Sequence, residues 1–293
     1  NIKSAYERIK SIHKYLGIGY IRFVYYYILR RDTLLTIRID DNKVDVRVSD
    51  LPFIAKLLEN KWKVVQNSGR LITFQLPCDA IINCRTDTGY DFGHLVEIFL
   101  QKSYGSDFDN MNVIDIGASN GDSSIYFAKN GARRVIGIEP DRRSFELAVK
   151  NISASKVEDR VSILNKALGE TDGNITLTVY EHNPNANSVD QNNMVNLEDT
   201  RHEETVESIR LRDVIDVFHG EEVHLLKMDC EGCEYSVLKN LDEGSYKKIE
   251  NIIMEYHNGL QFLKDVLESN GFAVQVNNSN DKIGYIKARS AKL

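Results

Sequence analysis

From residue 111 onward the sequence predicts an α/β fold, a parallel doubly wound sheet, and a smaller α+β appendage precedes it. Three observations carry that reading. Short apolar runs alternate with amphipathic segments from residue 111 to the end, the pattern of strand–helix units feeding a parallel sheet. The first run, Val113–Ile116, passes directly into a glycine-rich turn, Gly117-Ala118-Ser119-Asn120-Gly121. The fourth run ends in clustered charge, Lys227-Met-Asp229-Cys-Glu231-Gly-Cys-Glu234. Doubly wound sheets bind ligands beyond their strand C-termini, where strand order reverses, so both features fall where a site is expected. The two regions are drawn at residues 1–90 and 91–293.

The chain has 293 residues, 42% hydrophobic and 27% charged, enough for one large core domain with an appendage. Its net charge is −6 and it has no long basic run, so no nucleic-acid partner is expected. No secretory pattern opens the sequence, and a cytoplasmic location is expected.

In the appendage, a Tyr-rich helix is expected across residues 18–31. It is too short and too interrupted to span a bilayer, which takes ~20 apolar residues. It is read as docking on the protein or on a second copy of the chain in a homo-oligomer, with peripheral membrane contact as the alternative. Leu34–Ile39 and Val44–Val48 alternate as strands about a turn at Asp41-Asn42, Pro52 opens a helix through Leu58, and Leu71–Leu76 is a further strand. Phe92, Leu95, Val96, Phe99 and Leu100 line one face of a helix.

In the core, Ser123–Lys129 follows the glycine turn as a helix, and Val135–Ile138 is the second strand. Phe145, Ala148, Val149 and Ile152 mark a helix face, and Val161–Leu164 is the third strand. Ile175–Val179 is an extra strand before an Asn-rich loop at residues 182–196, a candidate substrate lid. Val223–Met228 and Ile252–Met254 are the fourth and fifth strands, Leu260–Leu267 a helix, and Ala273–Val276 with Ile283–Ile286 a closing hairpin.

The spacing of Gly117 and Gly121 differs from the dinucleotide G-x-G-x-x-G, and no Lys-Ser/Thr ends the turn as in a P-loop. Asp115 and Asp122 would repel a pyrophosphate and suit a ligand carrying an ammonium and a sulfonium. Glu139 ends the second strand, placed to accept hydrogen bonds from ribose hydroxyls, and Pro140 stiffens the turn after it. Ala167, just past the third strand, is small enough to frame an adenine. On an extended chain Lys227, Asp229 and Glu231 share a face. Asp229 is a candidate for the ligand ammonium or a substrate hydroxyl, and Glu231 for a general base. The bland alternative is an ion pair of Lys227 with a carboxylate. His257, sharing a face with Glu255, is a third candidate to take a proton. Asp229, Glu231 and Glu255 offer hard oxygen ligands, so a divalent metal is left open although no metal site is assigned. Cys230 and Cys233 form a C-x-x-C pair, but zinc lacks two well-spaced further ligands and the motif order is not that of a redox fold. Cys230 is expected to point into the core, unbonded.

These motifs together resemble the FkbM family of S-adenosylmethionine-dependent methyltransferases. The resemblance rests on VIDIGASNGDSS (113–124), VIGIEPD (135–141) and LLKMDCEGCEYSVLKNL (225–241), with VESIRLRDVI (206–215) and IIMEYH (252–257) in support. It spans about residues 90–290, and the first 90 residues carry no part of it. The resemblance implies a Rossmann-like class I methyltransferase core of seven strands. It also implies cofactor contacts at Asp115, Gly117, Gly121 and Glu139, Asp229 at the reaction centre, and methylation of a hydroxyl on a sugar, glycan or small metabolite. An RNA ribose methyltransferase and a non-catalytic S-adenosylmethionine-binding module are the alternatives, and a nicotinamide oxidoreductase is disfavoured by the glycine spacing.

Overall fold

The computed structural model of the chain describes residues 2–19, 25, 33–39, 42–88, 90–181, 183, 187–189, 200–278 and 283–291. Most of the Tyr-rich segment at 18–31, part of the Asp41-Asn42 turn and most of the Asn-rich loop at 182–196 lie outside the described residues. The chain divides into two compact units, Asn1–Gly105 with Ala154–Lys156, and Ser106–Ser153 with Val157–Leu293.

The N-terminal unit opens with helix α1 (Ile2–Leu16). Strands β1 (Leu34–Ile39) and β2 (Asn42–Arg47) pair antiparallel, and β1 buries every second residue as its alternation requires. Helix α2 (Leu51–Glu59) starts with Pro52 in its first turn, where a missing N–H costs nothing. An antiparallel meander follows, β3 (Lys63–Ser68), β4 (Leu71–Gln75) and β5 (Ile81–Arg85). Its outer strands escaped the sequence reading because each alternates weakly. Helix α3 (Asp91–Leu95) widens into a π turn over Val96–Leu100, and Trp62, Phe74, Phe92 and Phe99 pack edge to face in this core.

The C-terminal unit is built on seven strands: β6 (Asn112–Ile116), β7 (Arg134–Ile138), β8 (Val161–Leu164), β12 (Leu225–Met228), β13 (Asn251–Tyr256), β14 (Phe272–Asn278) and β15 (Gly284–Ser290). Their order is β14-β15-β13-β12-β6-β7-β8, with β13, β12, β6, β7 and β8 mutually parallel and β15 antiparallel to its neighbours. Helices α4 (Asp122–Lys129), α5 (Arg142–Ala154), α6 (Leu211–Asp216), α7 (Cys233–Lys239), α8 (Glu243–Tyr246) and α9 (Gln261–Ser269) connect them. This is the predicted doubly wound sheet, with shifted bounds at several strands, the closing hairpin among them. The fourth strand begins at Leu225, because Val223 makes only an isolated bridge to Ile249, and the fifth extends to Tyr256. A second small sheet joins β9 (Ala167–Leu168), β10 (Gly173–Tyr180) and β11 (Arg201–Ile209) in the order β10-β11-β9. Strand β11 is exposed along most of its length, so its sequence lacks the apolar alternation that marks a strand.

The chain lays down β6, β7 and β8 to one side, then crosses to place β12 on the other side of β6. Strand order therefore reverses between β6 and β12, and the crevice past their C-terminal ends is where such a sheet takes its ligand.

Candidate active site

Two turns face each other at that crevice, the glycine turn after β6 and the acidic turn after β12. Gly117 has φ +73°, and a Cβ placed on it would lie 1.7 Å from the Asp229 carbonyl oxygen. The two backbones touch there, and only glycine allows both the contact and the left-handed conformation. Gly117 and Ala118 donate their N–H groups to the Ile138 carbonyl.

A buried ion pair ties the two strands beneath these turns. The parallel register of β6 and β12 sets Lys227 opposite Asp115. Lys227 Nζ lies 3.1 Å from Asp115 Oδ1 and donates to the carbonyls of Ile116 (3.1 Å) and Gly117 (2.8 Å). Asp115 Oδ2 accepts from the hydroxyls of Ser123 and Ser124, each at 2.6 Å. Burial works against the Lys227 charge, but Asp115 and then Asp229 hold its pKa above the ordinary lysine value. The bland reading of Lys227 thus holds. Asp115, fully buried, spends its side chain on shaping the glycine turn.

Glu139 is set by the same turn. Its Oε2 accepts from Ser119 N and its Oε1 from Asp141 N, both at 2.8 Å. Asn165 donates to the carbonyls of Glu139 and Pro140, both at 2.9 Å, which ties the ends of β7 and β8 together and leaves buried Ala167 two residues on. Asn120, also buried, accepts from Asp122 N through its side chain and from Asn151 through its carbonyl.

The sequence profile of the Methyltransferase FkbM domain matches residues 115–276, which hold both turns. The chain belongs to the FkbM methyltransferase family. Methyltransferase 1 of Beauveria bassiana is 30% identical over 200 residues, 61% of this chain and 80% of that protein. Methyltransferase sdnD of Sordaria araneosa is 26% identical over 188 residues, 54% of this chain and 72% of that one. The methyltransferase FkbM of Methylobacillus flagellatus superposes with a TM-score of 0.41 at 16% identity, covering 61% of this chain and 44% of that chain.

The acidic turn of this FkbM methyltransferase has a feature the sequence reading missed. Cys230 and Cys233 form a disulfide, which corrects the expectation of an unbonded Cys230. The bond closes a ring around Glu231 and Gly232, whose φ values are +54° and +113°. Two successive left-handed residues bring Cys230 and Cys233 back together, to a Cα separation of 5.5 Å. Spacing alone does not reveal such a backbone. Glu234, fully buried, accepts from Cys230 N (3.0 Å) and Gly232 N (2.9 Å), so the last acid of the cluster is a brace for the turn. Ser188, a described residue of the Asn-rich segment, donates to the Glu231 carbonyl at 2.6 Å.

Asp229, Glu231, Glu255 and His257 gather at this edge. His257 Nε2 lies 3.5 Å from Glu231 and 3.9 Å from Glu255, and Nδ1 lies 3.7 Å from Glu234. Burial pushes the Glu231 carboxyl up to about 8, against the pull of His257 and with the push of Asp229, Glu234 and Glu255. Burial would pull His257 down, but Glu234, Glu231 and Asp229 raise it to about 9. The three candidate proton acceptors, Asp229, Glu231 and His257, therefore fall in one cluster, beside the glycine turn rather than scattered along the strand ends. Among the described residues, no helix is long and apolar enough to cross a membrane.

Proposed function

We propose that the chain transfers the methyl group of S-adenosylmethionine to a hydroxyl oxygen of a sugar, glycan or small metabolite. The observation that carries this reading is the contact of the glycine turn with the acidic turn at the sheet's switch point. In this reading the backbone from Gly117 through Ala118, Ser119 and Asn120 to Gly121 cradles the cofactor. Glu139 takes the ribose hydroxyls, Pro140 fixes the turn behind it and Ala167 borders the adenine. Asp115 holds the cradle from below, and Asp229 faces the cationic end. A cation is favoured there because the edge carries several carboxylates.

The methyl carbon is already activated, so alignment of the acceptor supplies much of the catalysis. The acceptor oxygen forms a bond to the methyl carbon, the carbon–sulfur bond breaks, and S-adenosylhomocysteine leaves as a neutral thioether. The hydroxyl proton needs a base. Glu231 is assigned that role because its side chain is one-quarter exposed at the edge, whereas Glu234 is fully buried. The acidic edge and the net charge of −6 disfavour a phosphate-rich acceptor.

Calorimetry with S-adenosylhomocysteine and labelled methyl transfer to a panel of hydroxylated acceptors test the reading together. The expected result is one binding site, lost in Glu139→Ala. Glu231→Gln should keep the affinity and lose about 10²–10⁴-fold in turnover. No heat on folded protein, or label recovered only on nitrogen or carbon, sinks the proposal.

A further inference from the structure

We propose that Asp229, Glu255 and His257 hold a divalent cation at this edge, where it binds the acceptor oxygen that receives the methyl group. The inference rests on the methyl-transfer reading and deepens it. One ligand atom from each of the three residues lies within 4.8 Å of the others. Asp229 follows β12 directly, while Glu255 and His257 are two residues apart at the end of β13, its parallel neighbour. Two adjacent strand ends thus deliver three ligands to one place, and alternation along the extended chain puts Glu255 and His257 on one face.

The state of His257 points to a ligand. Its side chain is 10% exposed, and the nitrogen that faces Glu255, Nε2, lies 3.5 Å or more from the carboxylates beside it. Its three nearest carboxylate oxygens, at 3.5, 3.7 and 3.9 Å, are all beyond ordinary hydrogen-bond length. Of these, the 3.9 Å from Nε2 to Glu255 joins two of the proposed ligands, and that separation suits a shared ion. Ligand atoms that each sit about 2.1–2.2 Å from one cation are about 3.0–4.3 Å apart, depending on the angle between them.

The charge balance points the same way. Asp229, Glu231, Glu234 and Glu255 surround one imidazole. Lys227, the nearest ammonium in the strand, is taken by Asp115 and two backbone carbonyls. A surplus of carboxylate gathered in a half-buried site favours a cation, and a bound divalent ion is the largest charge such a site can gain. Two carboxylates with one imidazole suit Mn²⁺ or a similar first-row ion over Ca²⁺. Three protein ligands leave positions open for the acceptor, so an acceptor with a second oxygen next to the reacting hydroxyl fits best. Its two oxygens can chelate the ion, which polarises the hydroxyl as a Lewis acid.

The test uses the full chain, stripped with a chelator and titrated with MnCl₂, with free Mn²⁺ followed by electron paramagnetic resonance. One site per chain is expected, with affinity falling at least tenfold in His257→Gln and in Glu255→Gln, each checked for native circular dichroism. Asp229→Asn serves as a third variant if either fails to fold. Absence of a stoichiometric site up to millimolar Mn²⁺, or wild-type affinity in the folded variants, overturns the cation. Calorimetry with S-adenosylhomocysteine on the same stripped protein separates the two ideas. Heat there without Mn²⁺ binding removes the cation and leaves methyl transfer standing. No heat with or without Mn²⁺ removes methyl transfer itself.

Discussion

Asp50 in the N-terminal unit and Asp115 in the C-terminal unit are both fully buried carboxylates, but their neighbours differ. Asp115 has an ammonium at 3.1 Å and two hydroxyl donors at 2.6 Å. Neither oxygen of Asp50 has a hydrogen-bond partner. The cation that acts on Asp50 is Arg47, whose guanidinium donates to the Asp87 carbonyl. Asp91, close by, is satisfied instead by Arg85, which reaches both of its oxygens at 2.8 and 3.0 Å. Burial pushes Asp50 up to about 7, with Arg47 opposing and Asp91 adding to the rise, whereas Arg85 outweighs burial and holds Asp91 below the usual carboxylate range. A buried acid is thus stable as an anion where its partners were built with it, and turns toward the neutral form where they were not.

Removing the cation from the paired site is the most severe way to break this contrast. Lys227→Met leaves Asp115 buried and uncompensated, which costs about 3–5 kcal/mol. The unfolding free energy from chemical denaturation should fall by that amount, or the protein should fail to fold. The double variant Lys227→Met with Asp115→Asn should recover part of the loss, since it removes the orphaned charge. Equal losses in the single and double variants would show that the charge pairing itself is not what matters.

The pair also marks how far sequence alone reaches. The glycine turn was legible because the conformation it needs is one that glycine supplies, and the position of Glu139 at a strand end because an apolar run leads into it. The Lys227–Asp115 pair was not. It depends on the register of β12 against β6, which joins residues 112 positions apart in sequence. Charge at a strand end signalled importance but not which groups would be paired. The Cys230–Cys233 disulfide was hidden for another reason. It requires a non-glycine residue, Glu231, at φ +54°, which residue type does not announce. The doubly wound sheet itself was readable from its apolar runs, whereas exposed β11 carried no such signal.

The unpaired acid should show itself through pH. The folded pKa of Asp50, about 7, lies above its ordinary value of 3.8, so the folded state binds a proton that the unfolded state has released. Stability attached to this group is complete below about pH 4 and is lost as pH rises toward 7, by roughly 3–4 kcal/mol. Asp50→Asn should abolish that loss. Thermal unfolding of the two proteins at pH 5 and pH 8 checks it, with the variant gaining over the wild type at the higher pH. A gap between the two that does not change with pH would mean that Asp50 has an anionic partner geometry in solution like that of Asp91.

The smallest effect is expected at Glu234, a third fully buried carboxylate, held by backbone donors. Its two oxygens take the N–H groups of Cys230 and Gly232, and among the described residues the cationic group paired with it is His257 at 3.7 Å. Glu234→Gln keeps the shape and one acceptor oxygen, but turns an amide toward one of the two N–H donors. One buried N–H then loses its partner, at a cost of about 1–2 kcal/mol. The disulfide still closes the turn, so the damage should stay local. A urea titration should show a lower midpoint with an unchanged slope. A loss as large as that of Lys227→Met would mean that Glu234 is stabilised chiefly by its charge on His257, and the acidic turn would then belong with the ion-paired class rather than between the two extremes.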